Sequence, residues 1–164
     1  MSIKAEFKWS KDIYKTAGEI TYKYMMKYSY KKYIGYLFIG LILLGLYREY
    51  KFHDLSVLYL GVILSIYWYY IRSFLYKIRL DKGYKKEGID GIDMRFNISK
   101  GGININGNMI PWSGISLAII EDRGIVLKRA EGYPFLPVYS FKKQKDIEEF
   151  IELLDKNGVK VIVL

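Results

Sequence analysis

Residues Tyr36–Tyr70 read YLFIGLILLGLYREYKFHDLSVLYLGVILSIYWYY. Two uncharged apolar runs, Tyr33–Tyr47 and Leu55–Ile71, flank the charged patch Arg48–Asp54. As helices at ~1.5 Å rise per residue they reach about 22–26 Å, slightly short of a ~30 Å hydrocarbon core. Length alone therefore leaves two buried helices of a soluble protein open. The residue distribution argues for a membrane hairpin instead. Gly, Leu, Ile, Phe and Tyr occur at every helical angle, whereas a surface helix keeps a polar side. A chain of 164 residues has little material to wrap two such helices. Aromatic residues crowd the ends: Tyr28, Tyr30, Tyr33 and Tyr36, then Tyr47, Tyr50 and Phe52, then Trp68 and its tyrosine neighbours. Rings at both ends of an apolar span form an interfacial belt. The expectation is a transmembrane helical hairpin over 33–71, with spans 33–47 and 55–71.

The charge distribution orients it. Net charge is +9, and Lys, Ile, Tyr and Asn are all abundant, so location says more than the total. Residues 1–32 carry eight Lys against three acids, and 72–91 carry six Lys or Arg against three acids. The patch between the runs is balanced by Arg48, Lys51, Glu49 and Asp54. The positive-inside rule then makes both flanks, and both termini, cytoplasmic. The first run follows some thirty structured, charged residues and precedes a second span, unlike a cleaved signal peptide. Residues 92–164 are nearly neutral, with ten basic and nine acidic groups, which excludes a nucleic-acid footprint there.

Upstream, Ile3–Trp9 alternates as a strand does, and Ser10 with Asp12 reads as a helix start. Ile13, Ala17, Ile20 and Tyr24 continue at helical spacing, giving an N-terminal strand and amphipathic juxtamembrane helix over 1–32. Lys23, Lys27 and Lys31 share a face, which is either solvated or lies on anionic headgroups. Lys32, Arg72, Lys77, Arg79, Tyr47 and Trp68 complete the membrane-interface candidates. Gly35, Gly40 and Gly45, five apart, read as flexibility or close helix packing rather than a GxxxG face. Residues 72–91 read as a basic helix extension and a linker marked by Gly83, Gly88 and Gly91.

From Ile92 short strands follow. Lys100-Gly101-Gly102 and Asn106-Gly107 are hairpin turns, Glu121–Gly124 is another, and Glu131-Gly132 turns into Tyr133–Tyr139. Pro111, Pro134 and Pro137 suggest sheet edges. Ser140 reads as an N-cap for an amphipathic helix over Lys142–Lys156, ended by Asn157-Gly158. Val159–Leu164 is a last strand or a hydrophobic tail. The fold class is α+β: the hairpin plus a small antiparallel sheet over 92–164, in the order of a pleckstrin-homology-like roll capped by a C-terminal helix. The N-terminal strand is a candidate to join that sheet.

The hairpin, followed by FNISKGGININGNMIPWSGI, AIIEDRGIVL and SFKKQKDIEEFIELL, resembles the bacterial YcxB-like membrane proteins across nearly the whole chain. Its characteristic residues are Gly102, Trp112 through Ile115, Glu121-Asp122, Phe141 and Phe150. The resemblance implies two spans and a pleckstrin-homology-like domain in the bacterial inner membrane, and carries over no catalytic residue. Gly102, Trp112, Ile115, Phe141 and Phe150 read as structural, with Trp112 plugging the end of the sheet. Lys100 stands alone in its hairpin loop, so the roll lacks a phosphoinositide-type basic cluster.

Chemistry is sparse. Without cysteine there is no thiolate or disulfide, and His53 is the sole histidine. Asp90 with Asp93, and Glu121 with Asp122, are acid pairs in turns, which could do acid/base work or bind a divalent ion but where acids usually serve solubility and Asx hydrogen bonds. Lys142, Lys143 and Lys145 oppose the dipole of the last helix, either as a tolerated cost or to face an anionic surface. The spans hold no Asp, Glu, Lys or Arg, which argues against ion transport. The expectation is a non-enzymatic inner-membrane protein without metal or cofactor. It anchors a binding or scaffold domain, with anionic lipids and an unidentified protein as partners, and homo-oligomerisation is left open. The alternative is an immunity protein against a membrane-acting or inner-membrane-targeted bacterial toxin.

Overall fold

The computed structural model describes residues 2–130 and 132–164, in two compact units. One unit joins the first 23 residues to Gly83–Leu164; the other is Tyr24–Lys82. The architecture is α+β, with two four-stranded sheets.

In the sheet unit, β1 (Ile3–Lys8) pairs antiparallel with β2 (Asp93–Ser99), and β3 (Gly102–Ile105) and β4 (Asn108–Pro111) follow as a meander. The N-terminal strand thus does join a sheet. Ile3, Ala5, Phe7, Phe96, Ile98 and Ile103 are buried, while Lys4, Glu6, Lys8, Asp93, Arg95 and Asn97 face out. This alternation marks a sheet with one wet face. At the β3–β4 turn Asn106 and Gly107 take φ of 49° and 95°, the left-handed pair a tight hairpin requires. Gly102 is demanded by proximity: a Cβ there would stand 2.1 Å from the Ile110 carbonyl oxygen.

The second sheet runs in the order β7 (Phe135–Pro137), β6 (Gly124–Arg129), β5 (Ile115–Glu121), β8 (Lys160–Val163). Its central residues are buried consecutively, from Leu117 to Ile119 and from Gly124 to Leu127, as in a sheet covered on both faces. Helix α5 (Gln144–Lys156) buries Ile147, Phe150 and Leu154 at helical spacing. Phe150 lies 6.4 Å from the Trp112 ring and 6.0 Å from the Phe141 ring.

Several expectations change. The 92–164 strands form two sheets, not one, and β8 is parallel to β5, because α5 carries the chain back before β8 begins. Ser140 does not cap α5. Its hydroxyl donates to the Pro137 carbonyl within a 3-10 turn, and the helix begins after Lys143. The strand expected over Tyr133–Tyr139 shrinks to Phe135–Pro137, and the Glu131 part of its preceding turn lies outside the described residues. The proline-bearing strands β4 and β7 do lie at edges, where a missing N–H is tolerated.

Helix α1 (Lys11–Tyr28) starts at Ser10, whose hydroxyl accepts from the Ile13 amide at 3.4 Å. It ends at Tyr28, and α2 (Lys32–Phe52) follows after a break of three residues. Helix α3 (Ser56–Ile66) continues through a π turn, Tyr67–Ile71, into α4 (Arg72–Glu87), one rod of 32 residues. The linker expected from Gly83 is therefore reduced to Gly88–Gly91. Gly83 lies inside the helix, and Tyr14 packs against its bare backbone, the hydroxyl 2.9 Å from where a Cβ would be.

In the helical unit α2 and α3 are antiparallel and in close contact at glycines. A Cβ on Gly45 would stand 2.4 Å from the Leu58 backbone, one on Gly61 2.9 Å from the Ile42 amide, and one on Gly35 2.5 Å from the Tyr69 hydroxyl. Gly40 faces open space. Gly45→Val should therefore lower the melting temperature of the purified chain, by overpacking worth ~1–3 kcal/mol, while Gly40→Val leaves it unchanged. In the sheet unit, Phe150→Ala should cost ~3–5 kcal/mol in urea unfolding.

Candidate functional site

The helical unit inverts the burial of the sheet unit. Its only buried residues in α2 and α3 are Gly35, Gly45 and Gly61, while large apolar groups point away from the protein. Leu37, Leu43, Leu60, Ile63 and Phe74 are all exposed, Leu43 and Ile63 by 63%. Ser56–Glu87 is by itself long and apolar enough to cross a membrane. Lys32–Phe52 meets the same criterion only together with the bent Lys11–Tyr28 helix.

The candidate interface residues separate into distinct settings. Lys23 is drawn into the sheet unit, where its ammonium lies 2.5 Å from Glu121 Oε1. Lys27 and Lys32 lie over the rings of Tyr28 and Tyr33, at 5.3 and 5.0 Å, and Lys31 occupies the turn between α1 and α2. Arg72 stacks on Trp68 at 4.0 Å, and Trp68 meets Phe38 edge-on at 5.8 Å. Lys77 and Arg79 are exposed on α4. Tyr47 is exposed beside Lys51 at the opposite end of α2. There Arg48 pairs with Asp54 at 2.5 Å, and the Asp54 carboxylate accepts the Ser56 amide at 3.0 Å and its hydroxyl. These hydrogen bonds, with Arg48, hold Asp54 below its ordinary carboxyl value. His53 closes α2 with a left-handed φ of 53°.

The acid pairs do not converge. Tyr84 donates to Asp90, and desolvation with this bond pushes its hydroxyl up to about 12, while Asp93 lies opposite Lys8. Glu121 accepts two hydrogen bonds from Arg123, at 2.7 and 3.0 Å, and one from Lys23. Arg123 also donates to Glu19 at 3.0 Å, bracing α1 against the β5–β6 turn. The hydrogen bonds from Arg123 and Lys23 outweigh partial desolvation and hold Glu121 below its ordinary value. A carboxylate so occupied is a brace rather than a proton carrier. Asp122 is exposed beside it. Among the described residues no three His, Asp or Glu gather as a metal site requires.

Gly102, Trp112, Ile115, Phe141 and Phe150, read from the sequence as structural, are buried in the sheet unit. The Trp112 indole donates to the Lys100 carbonyl at 2.9 Å, so the ring plugs the core while its N–H finds a partner. Lys142, Lys143 and Lys145 are exposed at the start of α5, with Lys145 3.8 Å from Glu149. Sequence reading missed Glu19, Arg123 and Gly61. The first two are 104 residues apart and carry no local signal; Gly61 follows from the same small-residue logic as Gly45.

Comparison with protein-family models, with curated proteins and with solved structures found no match to this chain.

Because the folded Glu121 carboxyl titrates below the unfolded one, its stabilisation is complete above the ordinary value of 4.5 and fades as pH falls through the lowered folded value. Glu121→Gln should cost about 1–2 kcal/mol at neutral pH, a modest figure because Lys23 and Arg123 are half-exposed. In urea unfolding between pH 3 and 7 the variant should lack this part of the wild-type acid dependence.

Proposed function

We propose that the chain is a non-enzymatic membrane protein whose α2/α3 hairpin anchors the sheet unit at the cytoplasmic face of a bacterial inner membrane. The observation that carries this reading is the inside-out helix pair: glycines are buried between the helices and bulky apolar side chains point outward. Water penalises such a surface at ~25 cal/mol per Å², whereas lipid accepts it. Close contact through small residues is also the way helices pair where lipid removes the hydrophobic drive. The Tyr and Trp at both ends, with Arg72 stacked on Trp68 near one end and the Arg48–Asp54 pair at the other, suit two water–lipid boundaries.

In this reading the two basic flanks stay in the cytoplasm and attract anionic lipid, and the residues 48–54 turn lies outside. The sheet unit is a pleckstrin-homology-like binding or scaffold module of the YcxB-like type. Its non-enzymatic character is supported by Glu121, whose carboxylate is committed to Arg123 and Lys23. The test uses the lack of native cysteine. The chain should remain in membranes after alkaline carbonate. A cysteine placed at Lys51 should react with an impermeant maleimide in intact cells, and one at Lys143 only after lysis. Release by carbonate, or the reverse labelling, would sink the proposal.

A further inference from the structure

On the sheet unit, the first turns of α1, the β5–β6 turn and the segment after β7 line an open groove of about 490 Å³. Its floor is apolar: Ile13, Phe135 and Pro137 are buried and Val138 is half-buried. Its rim carries Asp12, Asp122 and Tyr139, all exposed, Tyr139 by 68%. Arg123 also reaches the rim, but Glu121 and Glu19 hold its guanidinium. Lys11 and Lys15 belong to the same helix and do not line the groove. In a chain of net charge +9 this is a local reversal of sign.

The three features suit one kind of visitor. An apolar floor takes the methylene stem of a long basic side chain. An exposed tyrosine offers its ring face to the cation, and a carboxylate accepts its N–H groups. We propose that this groove docks a Lys- or Arg-bearing apolar segment of a partner protein, of the kind that flanks membrane spans on their cytoplasmic side. The partner's location rests on the anchoring reading above, since the positive-inside bias makes such segments abundant at that face. Charge complementarity selects this occupant over an anionic lipid headgroup, which Asp12 and Asp122 repel.

The test uses the full chain in phosphatidylcholine nanodiscs, which carry no net charge to attract a basic probe. The probe is a fluorescent peptide, acetyl-Leu-Leu-Lys-Arg-Leu-amide, read by anisotropy. It should bind, weaken as salt rises to about 0.5 M, and lose about tenfold or more in affinity in the Asp12→Asn/Asp122→Asn variant. Tyr139→Leu, which keeps the apolar bulk and removes the ring, should weaken binding severalfold. Asp155→Asn, an exposed change on α5, should bind as wild type. Equal affinity in the double variant, or equal binding of the peptide with Glu in place of Lys and Arg, overturns the proposal. So does disulfide crosslinking between copies of an Asp122→Cys chain that excludes the peptide, which would assign the groove to a second copy. Carbonate release would defeat the anchoring reading alone, because the same peptide measurement can then be made on the purified full chain without nanodiscs.

Discussion

The fold depends on one long-range pairing. β1 meets β2 in six consecutive antiparallel pairs, from Ile3 with Ile98 to Lys8 with Asp93. Everything between those strands, including the whole apolar hairpin, is an excursion between two paired strands. Such a closure is affordable because loop entropy grows only slowly with loop length. It also fixes where the excursion leaves and returns, since α1 starts just after β1 and α4 ends just before β2. Tyr14 fastens the exit to the return. Its ring lies 5.5 Å from Tyr84, its hydroxyl donates to Glu87 at 2.9 Å, and it covers Gly83.

Two burial rules operate in one chain. The sheet unit hides its large side chains: Phe96, Phe135 and Phe150 are among its fully buried residues, and charge lies outside. The helical unit hides glycine and displays Leu, Ile, Phe and Tyr. The first distribution is the response of a chain to water. The second is the distribution expected of two helices paired in apolar surroundings, where close backbone approach at small residues, rather than removal of area from solvent, holds helices together.

Electrostatics follow the same division. In the sheet unit, Glu19, Arg123, Glu121 and Lys23 form a chain of ion pairs that braces α1 against the β5–β6 turn. This assigns a mechanical role to a carboxylate that looks available for chemistry in the sequence. It also removes Lys23 from the basic stripe it shares with Lys27 and Lys31. The groove beside the brace keeps Asp12 and Asp122 exposed at its rim, so this corner of a basic chain shows a local acidic character.

By itself the sequence determined the elements whose causes are local. The apolar runs, the Asn106-Gly107 hairpin, the amphipathic face of Ile147, Phe150 and Leu154, and the edge placement of the prolines follow from periodicity and backbone sterics within a few residues. Only the tertiary structure decided what depends on distant neighbours. The division of the strands into two sheets, the parallel return of β8, the helical state of Gly83 and the loss of the Ser140 cap are such cases. So are the capture of Glu121 by Arg123 and Lys23, and the burial of Gly35, Gly45 and Gly61 while Gly40 stays open. Local pattern states which side of an element is apolar. It does not state which other element will meet that side, because that choice belongs to the pairing of β1 with β2 and to the packing that closes around it.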